Sequence, residues 1–116
     1  MDLTEDPTGP LGGIGVTAAH GRTVVRLWGE VDGALRAEAS ASMAQALAST
    51  APIVVDASGV TFIDSSGLAF VLQLHLAASE TGQRLTLRDP GRELLEKLEL
   101  LGMSGELEIE DQPAVA

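Results

Sequence analysis

Cysteine is absent from the chain, which excludes a disulfide framework and thiol chemistry and suits a reducing cytosol. Positive charge is scarce. One Lys and six Arg face 17 acids, for a formal charge of −10, and no Lys/Arg cluster is visible. Such a field disfavours nucleic acid and anionic membrane surfaces as partners. No stretch reaches the roughly 18 apolar residues that a membrane helix needs. The N-terminus also lacks the basic-then-apolar order of a signal peptide. The expectation is a soluble, cytoplasmic protein. Gly-rich phosphate loops of the usual types are missing, which argues against a bound nucleotide. No long internal repeat is present.

What remains suits one globular domain. The chain has 116 residues, and 45% of them are hydrophobic, enough for a real core. Residues 1–13 carry acids, prolines and glycines with few large apolar groups, and read as a flexible N-terminal tail. Residues 14–111 read as the domain, and 112–116 as a C-terminal tail. Ile14 to Ala19 and Thr23 to Trp28 are expected as an antiparallel strand pair around His20-Gly21-Arg22. Asp32 stands where a helix N-cap would be, ahead of a helix over Ala34 to Ala48. Ile53 to Asp56 has the continuous apolar pattern of a buried parallel strand. A second helix is expected over Ser66 to Glu80, closed by Gly82. Its circumference is largely apolar. Leu68, Leu72 and Leu76 form one row, Val71, Leu74 and Ala78 another, and Ser66, Gln73 and Glu80 a polar line.

Arg84 to Arg88 alternates like a half-buried strand. Asp89-Pro90 predicts a helix start, and Leu94, Leu95, Leu98 and Leu101 predict its apolar stripe. Glu106 to Ile109 is expected as the last strand. The sum is an α/β fold. It has a mixed sheet with an N-terminal hairpin, later parallel strands joined by helical crossovers, and helices packed on the sheet.

The chain is organised around Ile53 to Gly67, IVVDASGVTFIDSSG. An apolar strand ends in acid and feeds a helix through Asp64-Ser65-Ser66-Gly67. At a helix start the backbone N–H groups lack intrahelical partners. A phosphate on Ser65 or Ser66 would meet those donors and the positive end of the helix dipole. The plainer reading is that Asp64, Ser65 and Ser66 only cap the helix.

The chain resembles STAS domains, specifically the single-domain bacterial anti-sigma-factor antagonists. The resemblance rests on Gly29-Glu30-Val31-Asp32, on Val54-Val55-Asp56 with Val60, and on Phe62-Ile63-Asp64-Ser65-Ser66-Gly67-Leu68. Arg84-Leu85-Thr86-Leu87 and the helix from Leu94 to Gly102 match more loosely. The combination spans roughly Ile14 to Asp111. It implies a regulatory protein that is no enzyme and needs no cofactor or metal. The unphosphorylated form would bind an anti-sigma factor that is also a serine kinase, releasing the sigma factor. Phosphorylation at Ser66, directly before the motif glycine, would switch it off, and a PP2C-type phosphatase would restore it. Asp32, Asp64, Ser65, Ser66 and Gly67 are the implied partner-binding residues. The oligomeric state is expected to be monomer or weak dimer.

Two features depart from the family pattern. Ala69 replaces a common Gly, and Trp28 stands where a smaller residue is expected, as either a core residue or an interface anchor.

Rival readings fare less well. A hydrolase would need a nucleophile elbow, but Gly-x-Ser-x-Gly is missing. His75, the nearest base in sequence, lies about 180° around the helix from Ser66. Asp32, Asp56 and Asp64 suggest a Mg²⁺-dependent aspartyl phosphorylation site, but its lysine partner is not apparent. The only Lys, Lys97, lies on the third helix. A STAS scaffold or ligand-binding module that is never phosphorylated stays open as the alternative.

Overall fold

A computed structural model describes residues 11–103 and 105–110. Strand β1 (Gly12–Ala19) pairs antiparallel with β2 (Arg22–Val31). His20 and Gly21 between them have φ of 55° and 77°. Two successive left-handed residues give the turn whose twist matches a hairpin.

β1 starts at Gly12, so Gly12 and Gly13 belong to the sheet and not to the expected tail. Leu11 O accepts a hydrogen bond from Glu30 N at 3.0 Å. Opposite Gly12 stands Gly29, at φ 65°. A Cβ on Gly12 would lie 2.1 Å from Glu30 O, so only bare backbone fits at this crossing. The remainder of the expected tail, residues 1–10, and the C-terminal residues 111–116 lie outside the described residues.

β3 (Ile53–Ile63) follows β2 in the sheet, and β4 (Leu85–Arg88) and β5 (Glu108–Glu110) follow in turn. The order is β1-β2-β3-β4-β5, with every pair after the hairpin parallel. The expected mixed sheet is therefore present, but two strands are longer than the sequence suggests. β2 continues through Gly29, where its register against β3 shifts as at a β-bulge. β3 continues past Asp56. That carboxylate accepts from Ser58 N at 3.0 Å and Ser58 Oγ at 2.7 Å. This turn-like bond does not end the strand, because pairing with β2 runs on to Ile63.

A short 3₁₀ turn (Gly33–Leu35) leads into α1 (Arg36–Leu47). Helices α2 (Ser65–Thr81) and α3 (Gly91–Leu100) follow β3 and β4. All three share one apolar cluster with Val25, Leu27, Ile53, Val55, Leu85 and Leu87 of the strands. On α2, Val71, Leu74 and Ala78 are fully buried, whereas the Leu68 row runs out to solvent at Leu76. Gly82 closes α2 at φ 76°, as expected of a left-handed C-terminal glycine.

The start of α3 differs from expectation. Asp89 makes no side-chain cap, because its backbone is left-handed at φ 49° and a cap needs extended dihedrals. The apolar stripe of α3 is also narrower, with Leu94 and Leu98 buried and Leu95 and Leu101 exposed.

The opposite face of the sheet carries most of its charged residues beside Val24, Val54 and Trp28. Trp28 lies there, 37% exposed, so it is not a core residue. Its indole crosses β1 where a Cβ on Gly13 would come within 2.6 Å of Nε1. Arg26, Asp56, Arg88 and Glu110 occupy matched positions across β2 to β5.

Candidate functional site

β2 and β3 are parallel, so Val31 and Ile63 end side by side. The chain leaves each strand through an aspartate in an extended conformation. Asp32 Oδ1 accepts from Ala34 N at 2.9 Å and so caps the 3₁₀ turn before α1. Asp64 Oδ1 accepts from Ser66 N at 2.9 Å and Gly67 N at 3.0 Å, capping α2. Asp64 N donates to Val31 O at 3.2 Å, which joins the two strand ends. Both aspartates therefore satisfy orphan backbone donors.

These bonds correct one expectation. Two of the donors that a phosphate is expected to meet at the start of α2, Ser66 N and Gly67 N, are taken by Asp64, which caps the helix as the plainer reading has it.

Gly67 fixes the height of α2. It is buried, and a Cβ there would lie 2.6 Å from Val31 O and 2.7 Å from Ile63 Cγ1. Gly67 thus acts through close approach of its backbone and presents no side chain to a partner.

Ser65 and Ser66 are both exposed. Ser66 Oγ lies against Gly33, 3.5 Å from where a Cβ on that residue would stand. A groove of about 310 Å³ opens here between α1 and α2. Its apolar floor includes Ile14, Met43 and Phe70, and its polar rim is Asp32, Arg36, Ser40, Ser66 and Gln73. Of the expected site residues, Asp32, Ser66 and Gly67 meet at this groove. Asp64 supports them through the backbone, and Ser65 does not line it. Arg36 and Ser40 were missed. Their signal was helical spacing, since Arg36 follows Asp32 by four residues and Ser40 follows Arg36 by four.

Among the described residues, no His or Lys lines the groove, and its titratable side chains are Asp32 and Arg36. Among the described residues, no three His, Asp or Glu side chains group as a metal ion requires.

Charges elsewhere behave differently. On the open sheet face Arg88 and Arg22 hydrogen-bond Glu110, at 2.7 and 2.8 Å, and hold its carboxyl below the usual glutamate range. Arg84 hydrogen-bonds Glu108 and lowers that carboxyl in the same way.

A hairpin followed by parallel strands, with a serine-bearing helix start at paired strand ends, defines a class of small α/β domains. The family model described as "Mlab, STAS domain" matches residues 14–110, and the chain belongs to the STAS domain family. No curated protein sequence matches it.

Solved structures extend the comparison. The anti-sigma factor antagonist SpoIIAA in its unphosphorylated form is 23% identical, with a TM-score of 0.66 over 88% of this chain and 90% of that one. The Bacillus cell fate determinant SpoIIAA in its phosphorylated form is 21% identical, with a TM-score of 0.71 over 88% and 93%. An anti-sigma factor antagonist from Mycobacterium paratuberculosis is 26% identical, with a TM-score of 0.66 over 84% of each chain. The chain has the SpoIIAA-like fold.

Proposed function

We propose that the chain is a cytoplasmic anti-sigma-factor antagonist switched by phosphorylation of Ser66. The observation that carries this reading is the exposed Ser66 hydroxyl at the lip of the groove, on a helix start fixed by Asp64 and Gly67. The likeness to SpoIIAA, known in both phosphorylated and unphosphorylated forms, supports it. In the unphosphorylated state an anti-sigma factor with serine kinase activity packs against Asp32, Gly33 and Ser66. Ser65 and the carboxylate of Asp64 stand at the margin of that contact.

A phosphate adds about 1.5 to 2 negative charges and considerable bulk. Burying it against a surface shaped for a neutral hydroxyl is costly unless it is paired. Binding is lost while the fold persists, and a PP2C-type phosphatase reverses the change. The protein itself catalyses nothing.

Incubation with the cognate kinase and radiolabelled ATP tests this. Wild type and Ser65→Ala take up label and Ser66→Ala does not. Undiminished labelling of Ser66→Ala would move the acceptor elsewhere.

A second reading is a STAS module that serves a larger assembly without being phosphorylated. The capping of α2 by Asp64, which occupies Ser66 N and Gly67 N without any phosphate, favours it. Mass spectrometry of the protein from its own host separates the two: a phosphate-sized shift on Ser66 in some growth condition selects the switch.

A further inference from the structure

We propose that Arg36 is the intramolecular partner of a phosphate on Ser66, so that modification ties α1 to α2 across the groove. The inference rests on Ser66 as the acceptor, and three observations carry it.

The first is that the start of α2 has little left to offer an anion. Ser66 N and Gly67 N donate to Asp64 Oδ1, and Asp32 stands on the other side of the groove. A phosphate placed between two aspartates needs positive charge from elsewhere.

The second is placement. Ser66 Oγ lies against Gly33, and Arg36 follows Gly33 by three residues along the same helical run. Residues three or four apart share a helix face, and Arg36 and Ser66 line the same groove. Asp32 and Arg36 are the charged side chains that line it, with Asp64 beside it, and neither His20 nor His75 does so. Among the described residues, Arg36 is the one cation there.

The third is availability. Arg22, Arg84 and Arg88 each engage a carboxylate, whereas Arg36 is exposed and makes no ion pair among the described residues. A guanidinium presents a planar fork of donors that fits two phosphate oxygens at once. Closing that fork on a Ser66 phosphate spans the groove and withdraws both its walls from a partner.

The test uses full-length protein carrying phosphoserine at position 66, incorporated during translation so that no kinase is involved. Phosphorus NMR follows the second ionisation of the phosphate, which ordinarily lies near pH 6. An Arg36 partner favours the dianion. The midpoint is therefore expected lower in wild type than in Arg36→Gln by about half a unit, or about threefold in proton affinity. Arg36→Lys, which keeps the charge and loses the fork, should fall between them. The unphosphorylated Arg36→Gln protein should melt like wild type, so a folding defect does not imitate the result. Equal midpoints in wild type and Arg36→Gln overturn the proposal. If a kinase instead labels another residue, the Ser66 reading fails while the NMR comparison still reports on Arg36.

Discussion

Charged side chains do different work at the two sides of this domain. On the open sheet face they bind one another. Arg22 and Arg88 converge on Glu110, Arg84 meets Glu108, and Arg88 also approaches Asp56 at 3.9 Å. At the groove the aspartates bind backbone instead. Asp32 and Asp64 each spend a carboxylate oxygen on N–H groups that a helix start leaves unpaired. The first arrangement ties β4 to its neighbours β3 and β5 and, from Arg22 to Glu110, β2 across the sheet to β5, and ion pairs near a surface contribute little. The second sets where two helices begin, and hence where Ser66 stands. A local charge at the groove therefore carries more of the architecture than several ion pairs on the far face.

Crowding the seat of α2 should give the largest effect. Gly67→Ala would place a methyl group 2.6 Å from Val31 O. The helix start must lift, and overpacking of this kind costs about 1–3 kcal/mol. Thermal melting should show a clear drop relative to wild type, and an unchanged melting temperature would mean that the helix start yields freely.

Removing the caps should come next. Asp64→Ala strips two backbone donors of their partner and should cost about 1 kcal/mol. Asp32→Ala strips one donor, from a turn of three residues, and should cost less. Urea denaturation of the two variants side by side measures the difference. Equal losses would place the two aspartates on the same footing.

The smallest effect is expected on the sheet face. The Glu110 carboxyl lies below its ordinary value of 4.5 in the folded protein, through Arg88 first and then Arg22. A depressed carboxyl contributes stability above its unfolded value and loses it as pH falls through the folded one. Glu110→Gln should therefore melt about 1–2 °C below wild type at pH 7. That gap should close as the pH falls below about 4.5. A gap that persists in acid would assign the effect to packing rather than charge.

Sequence pattern recovered the order of elements because most are short, strongly biased segments with clear punctuation. The rows Val71-Leu74-Ala78 and Leu94-Leu98 are buried as helical spacing requires. Pattern failed where a local signal competed with pairing across the sheet. Asp56 and Gly29 look like strand breakers, yet β3 and β2 run through them, because neighbouring strands continue to supply hydrogen bonds. Asp89-Pro90 looks like a cap, but a cap depends on dihedrals that composition does not reveal.

At the site, Asp32 and Ser66 were both legible, each as a residue at its own strand end. Their meeting was not, because it depends on β2 and β3 lying side by side. Arg36 stayed hidden for the same reason. On a helix it is one more exposed arginine, and only the groove gives it a neighbour.

The tight fit of Gly67 on Val31 has a consequence in time. Helix shifts and domain motions take microseconds to milliseconds or longer. With the backbone of α2 seated this closely at Gly67, a group added to Ser66 would change the surface without a helix having to move. Only neighbouring side chains, Arg36 among them, would have to settle before a partner could read it, and exposed side chains do so in picoseconds to nanoseconds. How long either state lasts would then be the waiting time between encounters with kinase and phosphatase, so their concentrations in the cell, and not the elasticity of the domain, would keep the clock.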